Sequence, residues 1–478
     1  MYLGLDLGTS GVKALLIDAD QRALGSATAG LDVARPAPGW SEQDPVDWIR
    51  ACEDALRQLQ GDHDLSGVRG IGLSGQMHGA TLLDASDAVL RPCILWNDTR
   101  AHGEAAALDG QEAFRALTGN IVFPGFTAPK LAWVKAHEPE VFARAAKVLL
   151  PKDYLRLWLT GEHVSEMSDA AGTAWLDTGK RAWSEALLAA TDLSVDHMPR
   201  LVEGSEASGG LRAAFAEFGL TPGIPVAGGA GDNAASAIGL GVVRGGEAFV
   251  SLGTSGVLFA AADGYAPDAD TALHTFCHAV PGRWHQMGVI LAASDALAWY
   301  AGLVGESPAD LTDDFGALQA PGRALFLPYL GGERTPHNDA QVRGAMIGLE
   351  HVSDRAALAR AVLEGVSFAF RDSLNAMNAT GTRPARLLAV GGGSNSDYWL
   401  SAIATALDCP VDVPEDGDFG AAYGAARLGL MAAEKSGAEI ATPPKIARSI
   451  DPDPSLEPAF AEAHQRYTQT YLALKDLS

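Results

Sequence analysis

Residues 2–7 form an apolar run, 8–11 a turn of glycine and small hydroxyl residues, and 12–17 a second apolar run. Two such runs across a short glycine-containing turn predict a β-hairpin. A further turn follows at Asp18-Ala-Asp-Gln21. Between 44 and 59 the period changes. Trp48, Ala51, Cys52, Ala55 and Leu59 fall on one face of a helix, with Pro45 where a first helical turn accepts it. Residues 68–74 read as a strand and 397–407 as a helix. A terminal helix over 456–474 carries Phe460, Tyr467, Tyr471 and Leu474 on one face. It follows the stiff polar linker Asp451-Pro-Asp-Pro454 and is expected to pack back on the first half of the chain. The most apolar stretch, 288–305, has Ser294 and Asp295 in its middle. A charge there is costly in lipid, so a buried helix is expected, and no membrane partner.

The pattern occurs twice. Leu7-Gly-Thr-Ser-Gly-Val12 recurs letter for letter as Leu252-Gly-Thr-Ser-Gly-Val257, 245 residues later, and both copies lie between strand-like runs. A spacing of half the chain is too long for a solenoid. It predicts two related domains, each opening with the same hairpin, over 1–244 and 245–478, with the seam near 241–246.

Composition narrows the function. Of 478 residues, 47% are hydrophobic and 20% charged, which excludes a disordered chain. Thirty-five Lys and Arg against 59 Asp and Glu give a net charge of −24, which argues against a nucleic-acid partner. An anionic ligand would have to be held by backbone N–H groups. Glycine, at 54 residues, exceeds the usual ~7% and points to tight turns and close backbone approaches. Cys52, Cys93, Cys277 and Cys409 form no CxxC pair, and the start of the chain has no basic and apolar leader. Free thiols and a cytoplasmic location are expected.

The candidate chemistry starts at the hairpins. Their turns leave N–H groups open to an anion, so one in each domain can grip a polyphosphate from opposite sides. Asp6, whose counterpart in the second copy is Ser251, stands beside the first nest. A carboxylate there is favourable only with a cation between, and water-bridged magnesium brought by ATP is the natural candidate. In Ala227-Gly-Gly-Ala-Gly-Asp232-Asn-Ala-Ala-Ser236, Asp232 opens a small-residue helix. It is either an N-cap or a carboxylate with ligand space opened by the glycines. Gln76 and His78 stand between glycines after a strand, where α/β proteins place ligands, and Trp96 offers a flat face to a sugar. Ala389-Val-Gly-Gly-Gly-Ser-Asn-Ser396 is a strand-to-glycine turn with room for adenine. It fits neither a Walker A motif nor a strict GxGxxG fingerprint. His274-Thr-Phe-Cys-His278 has ligand-like spacing, but in a strand Cys277 points away from both histidines, so a metal site is not expected. Gly331-Gly-Glu-Arg-Thr-Pro-His337 is a polar loop that either lines a cleft or caps it.

Together, Met1-Tyr-Leu-Gly-Leu-Asp-Leu-Gly-Thr-Ser-Gly-Val-Lys13, Gly75-Gln-Met-His-Gly-Ala-Thr-Leu-Leu-Asp84, Leu150-Pro-Lys-Asp-Tyr-Leu-Arg156, Met167-Ser-Asp-Ala-Ala-Gly-Thr173 and Ser251-Leu-Gly-Thr-Ser-Gly-Val257 resemble the FGGY carbohydrate kinases. Their superfamily also holds hexokinase, actin and the heat-shock chaperone ATPases. The resemblance spans nearly the whole chain. It implies an α/β chain of two ribonuclease-H-like domains, of the actin and hexokinase type, flanking a deep catalytic cleft. It implies ATP and magnesium as cofactors and a small sugar as acceptor. The Gln-Met-His and Gly-Asp-Asn stretches favour D-xylulose over ribulose, gluconate or glycerol. Carried over, the first phosphate segment is Asp6, Gly8, Thr9 and Ser10 with Lys13 beside it, and the second is Gly253, Thr254 and Ser255. The adenosine segment is Gly392, Gly393, Ser394 and Asn395, the general base Asp232, and the sugar contacts Met77, His78 and Asn233. The run Gly228-Gly-Ala-Gly231 departs from the plainer glycine run expected there, which shifts the base slightly. Dimers are common in the family, so a homodimer is compatible. A nucleotide-switch ATPase is the competing reading, and the sites at Asp232 and at 76–78 count against it.

Overall fold

A computed structural model describes residues 1–312, 315–415, 417 and 419–477. The opening hairpin is β1 (Tyr2–Leu7) and β2 (Gly11–Ile17), extended by β3 (Ala23–Gly30). Helix α1 (Pro45–Asp62) starts where Asp44 accepts from Val46 N, and it buries the predicted Trp48, Ala51, Cys52, Ala55 and Leu59 face. β4 (Gly70–Gly75) then lies parallel to β1, with Leu7 opposite Gly75. Farther along come α2 (Pro151–Thr160), β5 (Ala207–Gly210), β6 (Pro225–Ala227), β7 (Ala230–Gly231) and α3 (Asp232–Leu240). The seven strands order as β5-β6-β4-β1-β2-β3, with β7 paired to the end of β4.

The second half repeats this plan. β8 (Ala248–Leu252) and β9 (Gly256–Ala262) form the second hairpin. β10 (His274–Cys277) and β11 (Trp284–Ile290) extend it, and α4 (Ser294–Val304) follows. After α5 (Arg355–Ala379) comes β12 (Leu387–Val390), parallel to β8. The half continues with α6 (Asp397–Leu407), β13 (Val411–Pro414), α7 (Ala421–Glu434), β14 (Ile446–Ile450) and α8 (Glu457–Leu474). The sheet order is β10-β11-β9-β8-β12-β13-β14. Each half therefore has a hairpin whose first strand is flanked by a parallel strand, and this two-domain α/β architecture is the fold class the sequence predicts.

Two expectations change. The run 288–305 is the end of β11 and then α4, not one helix. Asp295 stands at the start of α4, where its N–H donates to Thr254 O at 3.2 Å. Among the described residues the terminal helix α8 packs on α5 and α6, within the second half. Phe460, Ala463, Tyr467 and Tyr471 sit in the second-half core with Trp399 and Phe326. The element that crosses back is α7, which lies on β1, β4 and α3. Its Ala and Gly residues make that possible. A Cβ on Gly72 would overlap Ala425 O, and one on Gly424 would overlap Ala235 O. A further shared core joins Phe126 and Trp175 of the first half to Phe249, Phe259 and Phe276 of the second sheet. No described helix is long and apolar enough to cross a membrane.

Candidate active site

The first hairpin turn is closed by Gly8 N donating to Gly11 O at 2.9 Å, and its tip at Ser10 is exposed. Asp6, half-buried, ends β1 opposite Lys13 on β2 and Ser74 on β4. Thr9 is held from three sides. Its Oγ1 donates to Gln76 Oε1 at 3.1 Å and accepts from Trp96 Nε1 at 3.0 Å, while Gln43 Nε2 donates to its carbonyl at 2.8 Å. Gln76 Nε2 in turn donates to Gln43 Oε1 at 3.0 Å. Buried Gln76 thus spends its amide oxygen on the hairpin and one of its two amide N–H groups on Gln43, which holds the same turn. Trp96 likewise sits on the hairpin through its indole N–H.

Past the end of β4, Met77 is buried and His78 adopts a left-handed backbone, φ 71°. That conformation is uncommon for a residue with a side chain and marks a constrained loop. Burial, and then the charge of Lys130, push His78 down to about 3, so the ring is neutral. Its Nδ1 lies 2.7 Å from Gly172 O. A neutral ring there donates Nδ1–H to the carbonyl and turns Nε2 into an acceptor for a ligand hydroxyl. Phe126 stacks on the ring at 4.7 Å, and Lys130 Nζ donates to His78 O at 2.8 Å. Gly172 allows the fit, because a Cβ there would stand 2.5 Å from the imidazole.

Asp232 is the first residue of α3, and Gly231 is the N-cap. The carboxylate is therefore not a capping group. Asn233 donates to its Oδ1 from the backbone at 2.7 Å and from Nδ2 at 3.0 Å. Burial raises its pKa, and the Asn233 hydrogen bonds pull it down in part. The glycines before it serve packing and not ligand space. A Cβ on Gly229 would overlap Leu73 O, and one on Gly231 would meet Met77 at 2.9 Å.

Behind Asp232 lies a fully buried ionic cluster that sequence reasoning did not assign. Lys152 Nζ stands 2.9 Å from Asp153 Oδ1, 3.4 Å from Asp169 Oδ2 and 3.6 Å from Glu166 Oε1. Arg156 donates to Ala227 O and Gly228 O at 2.6 and 2.5 Å, which fixes the approach to Asp232. Burial, with the nearby Asp153, Glu166 and Asp232 charges, holds Asp169 well above the usual carboxylate range. The available signal was three charges, Lys152, Asp153 and Arg156, within an apolar helical run. Removing one partner from such a cluster costs about 3–5 kcal/mol.

In the second half, the hairpin tip at Thr254 and Ser255 is exposed. The start of α4 braces it, with Ala293 N donating to Thr254 O and Ser294 N to Gly253 O, both at 2.9 Å. Beside it, β12 ends at Val390 and is followed by Gly391, φ 90°, and the turn Gly392–Asn395. Gly391, Ser394 and Asn395 line an open pocket of about 870 Å³. Gly392 faces open space, whereas a Cβ on Gly393 would meet Trp399 at 2.6 Å. The same pocket is lined by Ser236 of α3, and by Pro414, Glu415, Phe419 and Gly420, which sequence reasoning missed. Their signal was Phe419-Gly-Ala-Ala, a glycine leading into a small-residue helix as at 231–235.

Two family models match the chain in series. One is the FGGY family of carbohydrate kinases, N-terminal domain, over residues 1–239, and the other its C-terminal domain, over 248–433. Across 482 residues the sequence is 47% identical to a xylulose kinase of Escherichia coli (strain K12), with 100% of both chains covered. The crystal structure of a xyloylose kinase from Brucella ovis superposes with a TM-score of 0.99 at 63% identity, covering 100% of each chain. A gluconate kinase from Lactobacillus acidophilus superposes with a TM-score of 0.92 at 26% identity, covering 99% of this chain and 98% of its own.

Proposed function

The chain belongs to the FGGY family of carbohydrate kinases, and on that premise we propose that it transfers the γ-phosphoryl group of ATP to the primary hydroxyl of D-xylulose, giving D-xylulose 5-phosphate. The observation that carries this reading is α3. Asp232 opens the helix next to Met77, and Ser236, one turn on, lines the pocket of the glycine turn. Residues i and i+4 share a face and stand about 6 Å apart along the axis. An acceptor hydroxyl at Asp232 and a nucleotide over Ser236 would thus be neighbours. The xylulose kinases at 47% and 63% identity support the choice of acceptor.

In this reading the sugar oxygen forms a bond to the γ-phosphorus while the bond to the ADP oxygen breaks. Asp232 orients the hydroxyl and takes its proton late, because the transition state is loose. Burial raises Asp232, which suits a carboxylate that must accept a proton. His78 Nε2 accepts from a second sugar hydroxyl, with Met77 and Asn233 completing the wall. Backbone N–H groups at Thr9 and Ser10, in the turn that Gly8 closes on Gly11, and at Gly253, Thr254 and Ser255, hold the phosphates and stabilise the charge on the transferring group. Lys13 adds a cation on the neighbouring strand, and Gly392, Gly393, Ser394 and Asn395 take the adenosine. Among the described residues no three His, Cys, Asp or Glu side chains gather as a metal site. The donor present is one hard oxygen ligand, Asp6, beside an anion nest. That fits a hydrated magnesium ion held against the phosphates, which would neutralise their charge.

The same reading divides the chain into domains of 1–244 and 245–478, with α7 lent back to the first. A cytoplasmic setting is supported by four buried, unpaired cysteines. Coupled ADP release with a panel of ketoses and polyols tests the assignment. D-xylulose should give the highest kcat/KM, and faster turnover of ribulose, gluconate or glycerol would overturn it.

A further inference from the structure

Loop 331–337 is zipped onto the second sheet by alternate residues. Glu333 and Thr335 are buried. Glu333 Oε1 accepts from Arg334 N at 2.7 Å and from Leu291 N at 3.0 Å, and Thr335 Oγ1 accepts from Val289 N at 3.0 Å and donates to Ala272 O at 3.1 Å. In such an extended segment the residue between must point the other way. Arg334 does so, and its guanidinium lies over the Phe123 ring of the first half, 4.6 Å from the centroid. It is half-buried, and no carboxylate lies within ion-pair distance among the described residues. Nor does its side chain make a hydrogen bond there. The adjacent Glu333 carboxyl is turned toward the sheet, and burial pushes it up to about 8, so it offers Arg334 only a weakened counter-charge. A cation kept from water without an anion is unusual unless a ligand completes it.

Its place in the site follows from contacts. Gly231, next to Asp232, packs on Met77, and Gly172 packs on both Met77 and His78. His78 stacks on Phe126, and Phe126 lies 5.6 Å from Phe123, the ring beneath Arg334. Arg334 is thus at the opposite end of the acceptor wall from Asp232. At the same end stands His274, 5.2 Å from Phe123 and with its Nδ1 buried and lacking a hydrogen-bond partner.

We propose that Arg334 is a specificity-determining residue for the acceptor, donating hydrogen bonds to the sugar oxygens at the end distal to the hydroxyl that Asp232 activates. This rests on the kinase reading above. A guanidinium lying over a ring keeps its N–H edge free for oxygens in its own plane, and two parallel N–H groups suit a neighbouring pair. In a 2-ketose that pair is the C2 carbonyl and the C1 hydroxyl. The second half then recognises the sugar directly, so sugar binding itself bridges the cleft.

Wild-type turnover of D-xylulose tests the kinase reading, and variant-to-wild-type ratios test Arg334. Arg334→Met keeps the apolar stem over Phe123 and removes the donors. It should raise KM and the calorimetric Kd for D-xylulose about 10–100-fold, the worth of hydrogen bonds to a charged group, with a smaller effect on kcat. Arg334→Lys should recover part of the loss, and neither variant should lower the thermal midpoint. The analogue lacking the C1 hydroxyl closes a thermodynamic cycle. Once the donors are gone, its disadvantage against D-xylulose should shrink. Unchanged affinity for D-xylulose, a loss confined to kcat, or losses from Arg334→Met and from the missing hydroxyl that simply multiply would each overturn the proposal.

Discussion

The two hairpin turns share the hexamer Leu-Gly-Thr-Ser-Gly-Val and the same place in their sheets, yet the parallel strand beside each ends differently. Beside the first, β4 runs out into Gln76, Met77 and His78, which are side chains in a constrained loop. Beside the second, β12 runs out into Gly391 and an open pocket whose wall includes Gly391, Gly417 and Gly420. The strand residue before each hairpin differs too, Asp6 in one copy and Ser251 in the other. The duplicated fold supplies an anion nest twice. The neighbouring strand end decides the rest. In the proposed reading, side chains there contact the acceptor, whereas the glycines leave room for the nucleotide.

Charge is where the halves should differ most. Asp232→Ala should lower kcat at least ~10²-fold, in the range of a lost general base, while a non-hydrolysable ATP analogue still binds. Near-normal turnover in a folded variant would return Asp232 to a structural role. The equivalent pair at the hairpins gives a sharper contrast. Asp6→Asn should raise the magnesium concentration needed for half-maximal rate, whereas Ser251→Ala should leave that titration close to wild type. Equal responses from the two positions would erase the asymmetry.

Binding should divide along the same line, with an effect of about tenfold, the scale expected when a binding group is displaced by part of an ångström. Gly172→Ala drives a Cβ into the His78 ring and should raise KM for sugar with little change for ATP. Gly391→Ala combines a left-handed φ with a Cβ 2.9 Å from the Leu252 backbone, and should raise KM for ATP in preference. If both variants weaken both ligands equally, the halves are not specialised as described.

The repeat made the architecture legible, because a hexamer copied between strand-like runs marks a duplicated domain. The misreadings have a common cause in tertiary packing. Small residues in 421–434 look like any helix until Gly72 and Gly424 show that they fit against backbone of the other half. Gln76 reads in the sequence as a ligand contact, and packing adds a second duty, since Thr9 and Gln43 engage its amide oxygen and one N–H. The glycines before Asp232 looked like ligand space, but their neighbours are Leu73 and Met77. Arg334 was undecided because the pattern of a loop does not say which face it turns to the cleft. That came from burial of Glu333 and Thr335 on the other side.

The smallest expected effect concerns the acid limb of the rate profile, and it tests what tunes the carboxylate of the first half. Asp232 acts as a base only when ionised, so the rate must fall as pH drops through its pKa. Burial raises that pKa and the two Asn233 donors lower it. Asn233→Ala removes Nδ2 and keeps the backbone N–H, so one of the two stabilising hydrogen bonds to the anion is lost. The ionised form becomes less favourable, and the acid limb of kcat should move to higher pH by on the order of one unit. Activity lost at the acid end of the profile should return as the pH rises and the carboxylate ionises in both proteins. In the proposed reading Asn233 also contacts the sugar, so KM for sugar is expected to rise at every pH, and the limb is read from kcat at saturating sugar. An acid limb of kcat that stays in place would mean that this carboxylate does not limit the rate in acid. The comparison between the halves would then rest on geometry alone.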